Sequence, residues 1–362
     1  MRPTVAEINL DNLRYNFSLA KRIVGCGVDF LAIVKADAYG HGAVSIARVL
    51  VEEGASMLGV ATVEEALELR ESGISAPIVI LGGVYPDEVK AVLTHDLTPA
   101  LFSIESAASL NDCAKREGKA ARYHLKVDTG MNRLGVIHDC LTGFLECLSG
   151  FPYLVMEGVF SHFASADCGD VAYTNWQLSV FKSAIIQIIK DGFRPRYFHI
   201  ANSAGLLAFP ESHFNMVRPG IMLYGASSYN GSNLMPVMKL KTRVIEVKKL
   251  PVGSPVSYGG TFVTKRPSRI AILPIGYADG YMRALSNRAF VSIRGKRAPV
   301  VGSVCMDLTI IDITDIEDAR VGDEVILFGD EVVSVGDVAQ WGGTISYELL
   351  SITGKRVPRV YV

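Results

Sequence analysis

Between residue 28 and about residue 221, short apolar runs alternate with stretches of helical periodicity. In order the runs are VDFLAIVK, MLGVA, PIVILGG, TPALF, RYHLKVD, LVMEGVFSHFA, YFHIAN and NMVRPGI. They predict eight strands, because a bounded, β-branched apolar run without helical spacing is what a buried strand requires. The segments between them predict helices. TVEEALELRESG opens with the capping pair Thr62 and Glu65 and closes at Gly73. In the long segment after Tyr173, the residues Trp176, Val180, Phe181, Ala184, Ile185, Ile188 and Ile189 share one helical face. Eight apolar strands, each followed by a helix, fit a (β/α)8 barrel better than an open doubly wound sheet. Neither G-x-G-x-x-G nor G-x-x-x-x-G-K-[ST] follows any of the runs, so the nucleotide-binding alternative lacks its signature.

After about residue 230 the pattern changes. KLKTRVIEVKKL, RIAILPIGY, AFVSIRGKRAPVVG, LTIIDI and EVILFG are β-rich, with turn signals at VGSP, RGKR and GD. Helical pattern returns only at DVAQW and YELLSI. The expected organisation is a barrel domain over residues 1–230 and a mostly β C-terminal domain over 231–362, with no low-complexity linker between them.

Composition narrows the class. At 49% hydrophobic and 20% charged residues, with no apolar tract long enough to span a bilayer, the chain does not read as a membrane protein. A net charge of −1 leaves no nucleic-acid footprint. The N-terminus, MRPTVAEINLDNLRYN, has acids and amides where a secretory signal needs an apolar centre, so the expected location is the cytoplasm. Cys26, Cys113, Cys140, Cys147, Cys168 and Cys305 show no C-x-x-C spacing, which argues against a zinc site or any other metal centre and against a disulfide framework. They are expected to be reduced thiols, mostly in the core.

The candidate chemistry starts at VKADAYGHG, where an apolar strand delivers Lys35 into a turn with Tyr39, His41 and two glycines. A lysine desolvated there loses its proton more easily, and the neutral amine can form a Schiff base with a carbonyl. The helix that follows should begin with backbone N–H groups free to bind an anion. An amine plus a phosphate cradle points to pyridoxal 5′-phosphate. In a barrel, reactive residues gather at the C-terminal ends of the strands. Lys35 ends the first run. Lys126, Asp128 and Arg133 follow the fifth, His162 ends the sixth, Asn202 and Ser203 follow the seventh, and Arg218, Gly220 and Ile221 close the eighth. Each residue alone has a bland reading, such as a core histidine or a surface arginine; their shared strand-end position favours a site. Tyr39, Ser203 and the backbone N–H groups of Gly220 and Ile221 suit a phosphate. Arg133 suits a carboxylate or phenolate. Arg218 facing a pyridine nitrogen would leave it unprotonated, since a guanidinium pKa exceeds about 12. That weakens the ring as an electron sink and suits rapid return of a proton to the same carbon.

VKADAYGHG, KVDTGMNRLG, FSHFASAD, HIANSAG, VRPGIMLYG, SYGGTF, PIGYADGY, VCMD and ISYELL, in this order, resemble the alanine racemase family over essentially the whole chain. The resemblance implies that Lys35 holds the cofactor and is one of two acid/base groups. It implies that Tyr258 is the other, contributed by the partner subunit of a homodimer through the C-terminal domain. A phenol, with a free pKa of about 10, needs a neighbouring charge to act as a base near neutrality. By the same resemblance Tyr39, Ser203, Gly220, Ile221 and Tyr347 bind the phosphate, Arg218 faces the pyridine nitrogen and His162 orients Arg218. Arg133 and the partner-borne Met306 contact the substrate carboxylate, and Lys126 is a candidate for carbamylation. The implied reaction interconverts L- and D-alanine, the latter for peptidoglycan. Three positions depart from the commoner family pattern. Ser303 and Leu308 stand where arginine and glutamine are expected, which bears on substrate access and the strictness of alanine preference; Asp37 replaces a frequent asparagine. The rival readings are a racemase of serine or a broader range of amino acids, a two-domain decarboxylase, which favours an acidic residue at the position of Arg218, and a non-catalytic carrier of the cofactor.

Overall fold

The computed structural model describes residues 2–226 and 233–362. Eight parallel strands run in the order Asp29–Ile33, Met57–Val60, Ile78–Ile80, Leu97–Leu101, Ala121–Asp128, Leu154–Phe160, Tyr197–His199 and Met216–Val217. Each matches one of the eight apolar runs. The last strand pairs back to the first through Met216 opposite Asp29 and Val217 opposite Phe30. Between the seventh and eighth strands, Arg218 N–H donates to the Ala201 carbonyl (2.9 Å) and Phe198 N–H to Asn215 Oδ1 (2.8 Å), so the sheet forms a nearly closed barrel.

The C-terminal domain is mostly β. Its largest sheet has the order Lys296–Pro299, Phe290–Ile293, Glu324–Phe328, Met238–Arg243, Val5–Ile8, Arg359–Tyr361. A second, antiparallel sheet joins Glu246–Leu250, Ser268–Leu273 and Thr309–Asp312. The RGKR signal is a two-residue hairpin: Ile293 pairs with Lys296, and Arg294 and Gly295 both have positive φ (52° and 71°), the geometry that matches the twist of the flanking strands. The strand Val5–Ile8 belongs to this sheet, antiparallel to Met238–Lys241 and parallel to Arg359–Tyr361, whereas the sequence groups it with the barrel. A four-residue run carries no mark of partners so far along the chain. The expected boundary at 230/231 lies outside the described residues. One continuous apolar core extends through both parts, from Leu31 and Leu58 to Leu240 and Val325.

Several local expectations change. Thr62 caps the helix Val63–Glu71 by accepting from Glu65 N–H, but the Glu65 carboxylate does not close a reciprocal box. It accepts instead from Ala61 N–H (2.7 Å) and, across the rim, from Ala36 N–H (2.6 Å). On the helix Val171–Lys190 the buried stripe is narrower than the apolar face, consisting of Leu178, Phe181, Ala184 and Ile188 together with the polar Thr174 and Gln177. Trp176 and Ile189 are exposed. Trp176 stacks on Tyr173 and lies over Gly130 in the loop after the fifth strand, which explains an aromatic residue on that face. The thiols are not mostly in the core: Cys113 is buried, but Cys26, Cys140, Cys147 and Cys168 are exposed, because they sit in turns and on outward helix faces. Among the described residues, no helix is long and apolar enough to cross a membrane.

Candidate active site

The residues after Lys35 fold in an unusual way. Ala36, Asp37, Ala38 and Tyr39 all have φ between 52° and 54°, forming a left-handed turn of four residues with side chains. Each such residue costs roughly 1–2 kcal/mol relative to a right-handed conformation, so the turn persists only because its surroundings hold it. Glu65 accepts from Ala36 N–H. The buried His41 places Nδ1 2.9 Å from the Tyr39 carbonyl and 3.0 Å from that of Ala38, and Nδ1 must carry the proton to donate to either. Burial pulls the His41 pKa down to about 4, consistent with a neutral ring. Arg359, from the last strand, donates to the Gly40 carbonyl (2.9 Å), and the Leu350 carbonyl fills the space a Cβ on Gly40 would need. Asp37 Oδ1 accepts from Ala43 N–H (2.7 Å) and caps the helix Ala43–Glu52. The first N–H of this helix, expected to be free for an outside anion, is thus taken by the chain's own carboxylate. An asparagine oxygen could accept the same bond, which accounts for the exchange between the two residues.

Two groups of side chains meet on the barrel rim. In the first, the Tyr39 ring lies 4.9 Å from that of Tyr224 and 6.0 Å from that of Tyr347, which arrives from the helix Ser346–Ser351 of the C-terminal domain. A Cβ on Gly220 would come within 2.7 Å of the Tyr39 hydroxyl, so a larger residue there would force the phenol to shift. Ser203 Oγ accepts from Gly220 N–H (2.9 Å) and Met222 N–H (3.3 Å). Gly220 therefore directs its N–H at Ser203, whose own hydroxyl proton remains available to a ligand. Asn202 uses Oδ1 to accept from Gly205 N–H (2.9 Å), so it shapes the segment rather than offering that oxygen to a ligand. Burial raises the Tyr39 pKa and pushes that of Tyr347 up to about 12, which keeps both as neutral donors.

The second group is cationic. Burial, then the charge of Arg133, lowers the Lys35 pKa, and Glu65 opposes the shift. Lys126 is drawn down to about 8 by burial and by the charges of Arg218, Arg133 and Lys35, against the opposing Asp128. His162 is held well below the usual histidine value by burial and the same cations, so it is neutral. Phe160 lies beneath two of these charges, with Lys126 Nζ and Arg218 Cζ each 5.4 Å from its ring centroid. Arg218 is 3% exposed. Its Nη1 reaches His199 Nδ1 and the His199 carbonyl, both at 2.8 Å; its Nη2 reaches the carbonyls of Ser161 (2.6 Å) and Ile200 (3.0 Å) and His162 Nδ1 (3.2 Å). Among the described residues, Nε–H is left without a protein partner. Burial pulls the pKa of this arginine down to about 9, and it stays a cation at neutrality. Arg133 is exposed at the end of a loop shaped by Asp128, whose Oδ1 accepts from Gly130 N–H (2.9 Å) and Asn132 N–H (3.1 Å).

Lys35, Tyr39, Lys126, Arg133, His162, Ser203, Arg218, Gly220, Ile221 and Tyr347 thus lie on one rim. Tyr258 and Met306 do not join them. Their side chains, on the C-terminal domain, are 73% and 53% exposed, and no hydrogen bond, ion pair or ring contact among the described residues ties either to the barrel. The backbone beneath Tyr258 is fixed nonetheless. Ser303 Oγ donates to the Tyr258 carbonyl (3.0 Å), and Ser257 Oγ donates to that of Ser303 (2.6 Å). Ser303 also borders an open hollow of about 430 Å³ with Thr261, Arg283 and Asn287. His199, His124 and Glu157 went unnoticed in the sequence, and Glu65 was read only as a helix cap. The available signal was the two-residue spacing of His124, Lys126 and Asp128 on one strand, which puts three polar groups on the same face.

Residues 8–228 match the family described as alanine racemase, N-terminal domain, and residues 237–361 match alanine racemase, C-terminal domain. The chain belongs to the alanine racemase family. An alanine racemase of Halothermothrix orenii is 44% identical over 99% of this chain and 97% of its own length. Among solved structures, the alanine racemase of Clostridium difficile 630 superposes with a TM-score of 0.94 at 38% identity, covering 100% of this chain and 96% of its own. That of Bartonella henselae, solved with covalently bound pyridoxal phosphate, gives 0.93 at 31% identity with both chains fully covered. This family member is accordingly an enzyme with alanine racemase activity, an isomerase built on a barrel and a β domain.

Proposed function

We propose that the chain uses pyridoxal 5′-phosphate and two bases, Lys35 and the partner subunit's Tyr258, in a homodimer with composite sites. The residues fit the cofactor. Ser203 and Tyr347 offer hydroxyl donors, Tyr39 has its hydroxyl close against Gly220, and Ile221 adds a backbone N–H. Arg218 retains one uncommitted donor, Nε–H, for a ring nitrogen. When bound, the cofactor supplies the electron-withdrawing system that acidifies the α-proton.

The chain's own residues do the rest. Lys35 Nζ is desolvated and has no hydrogen-bond partner among the described residues, so it can bind the cofactor's carbonyl carbon and then hold or release a proton on one side of the substrate's α-carbon. Tyr258 Oη serves the opposite side, and two bases on opposite faces invert the centre without turning the substrate. Arg218 donates a hydrogen bond but not a proton, leaving the ring nitrogen unprotonated and favouring return of the proton to the α-carbon. Arg133 and the partner's Met306 meet the substrate carboxylate. Lys126, at a pKa of about 8, has a neutral fraction that can attack carbon dioxide; the new N–C bond yields a carbamate, a proton goes to solvent, and the resulting anion pairs with Arg133. The family resemblance supports cytoplasmic supply of D-alanine for peptidoglycan, and it supports a division between residues 1–230 and 231–362 as cofactor-binding and partner-completing units.

The observation that carries this reading is the desolvated amine of Lys35, at the end of the first strand, on the same rim as Arg218 and the Tyr39–Gly220–Ser203 cluster. Incubation with L-alanine should give D-alanine by chiral analysis, faster than the corresponding turnover of serine, lysine or ornithine. Borohydride reduction and peptide mapping should place the pyridoxyl group on Lys35. A label on Lys126, or no turnover of any of the four amino acids, contradicts the assignment.

A further inference from the structure

A line of buried polar contacts leaves Arg218 on the side away from the uncommitted Nε–H. Arg218 Nη1 lies 2.8 Å from His199 Nδ1, and His199 Nε2 lies 2.9 Å from His124 Nδ1. His124 Nε2 lies 3.7 Å from Glu157 Oε2. The proton positions along this line are dictated by its first member. A guanidinium only donates, so His199 Nδ1 must be the lone-pair nitrogen and the His199 proton must sit on Nε2. That N–H donates to His124 Nδ1, which must in turn be unprotonated, and the second imidazole therefore carries its proton on Nε2. His124 Nε2 is buried without a hydrogen-bond partner and faces the Glu157 carboxylate. Reversing both rings would set the His199 Nδ1–H against the Arg218 N–H, and reversing only one would set two imidazole protons, or two lone pairs, against each other.

The surroundings hold this arrangement. Phe160 stacks on His199 with centroids 5.0 Å apart and ring planes within 2°, fixing the imidazole plane. Burial, together with the Arg218 charge, lowers the pKa of both histidines, so both stay neutral. Among the described residues, Arg218 has no carboxylate within ion-pair distance although its side chain is buried. The anion at the end of its contact chain is Glu157, two imidazoles away. A carboxylate there polarises both rings in the same sense and makes His199 Nδ1 a better acceptor for the guanidinium.

We propose that Glu157 is a positioning residue for Arg218, acting through His124 and His199, each protonated on Nε2. The proposal rests on the reading of Arg218 as the partner of the pyridine nitrogen. It assigns a role in the reaction to a carboxylate that touches neither substrate nor cofactor.

The test uses the holoenzyme with ¹⁵N-labelled histidine, the resonances being assigned with His124→Gln and His199→Gln. Two-bond ¹H–¹⁵N spectra at neutral pH should show both rings neutral and protonated on Nε2. In Glu157→Gln the tautomers, fixed by Arg218, should remain, but the ¹⁵N and Nε2–H shifts of both rings should move as their polarisation is lost. Its kcat should fall by about 2- to 30-fold, with KM for alanine changed by less than about twofold, and pyruvate formed per racemisation event should rise. Glu157→Asp, which keeps the charge, should recover part of kcat and lower the pyruvate yield. A wild-type ring that is cationic or protonated on Nδ1 overturns the proposal. So does a folded Glu157→Gln enzyme with wild-type kcat and pyruvate yield. Failure of the underlying reading looks different: Arg218→Glu would then form no extra pyruvate while the wild-type tautomers remain as described.

Discussion

Lys35 and Tyr258, the two groups proposed to exchange protons with the substrate, stand in opposite surroundings. Lys35 is held from every side within its own chain: a strand precedes it, a left-handed turn clamped by Glu65, His41 and Arg359 follows it, and burial lowers its pKa. Tyr258 has an equally fixed backbone, through the Ser303–Tyr258 and Ser257–Ser303 bonds, but its ring is 73% exposed. Folding of the single chain encloses Lys35 and leaves Tyr258 outward. A large aromatic side chain on a rigid loop with no packing partner is what an interface-completing residue looks like from inside a single subunit. On the proposed reading, the single chain builds a cofactor cradle and one base and supplies the second base to a partner's site.

The comparison breaks first at Arg218. Arg218→Glu should lower racemisation by roughly 100- to 1000-fold and allow pyruvate to accumulate, because a carboxylate would favour a protonated ring. Arg218→Lys, which keeps a cation, should lose activity without the pyruvate. Calorimetry of both variants must show a folded protein, since the carbonyls of Ser161, His199 and Ile200 lose donors in either case. Normal racemisation by Arg218→Glu would rule out the electronic role.

Lys126 sharpens the barrel side of the comparison. Lys126→Ala should lower kcat by about 10- to 100-fold through misplacement of Arg133, with partial recovery on adding small carboxylates. A pKa of about 8 leaves about a tenth of the amine neutral at pH 7 and most of it neutral at pH 9. Carbamate formation should therefore rise with pH across that interval at constant dissolved carbon dioxide. A ¹³C spectrum after equilibration with labelled carbon dioxide would show it; the absence of a carbamate signal at pH 9 would rule out carbamylation of Lys126.

The barrel was legible in the sequence because all eight strands are apolar runs of the right length, and a buried parallel strand announces itself by composition alone. Three rim residues were legible for the same reason: Lys35, His162 and Arg218 each stand at the end of an apolar run, whereas Lys126 lies within the more polar run ARYHLKVD. What could not be read depends on distant partners. Val5–Ile8 has neighbours at 238–241 and 359–361, and nothing local separates it from a barrel strand. The left-handed turn contains no glycine at Ala36–Tyr39, so its conformation is imposed by Glu65, His41 and Arg359 rather than by its own residues. His124 and His199 each looked like an ordinary core histidine, and only their 2.9 Å contact makes them a pair. Glu65 was read as a capping residue, and its second oxygen's bond to Ala36 needed the fold to appear.

The most direct test of the shared site is complementation. Lys35→Ala and Tyr258→Ala homodimers should each be nearly inactive. Co-expressed with different tags, they form a mixed dimer in which one site carries both defects and the other carries neither. The isolated doubly tagged dimer should therefore show about half the wild-type activity per dimer. A verified mixed dimer no more active than its parents would mean that Lys35 and Tyr258 serve the same site from one chain, and the account of two differently completed halves would be contradicted.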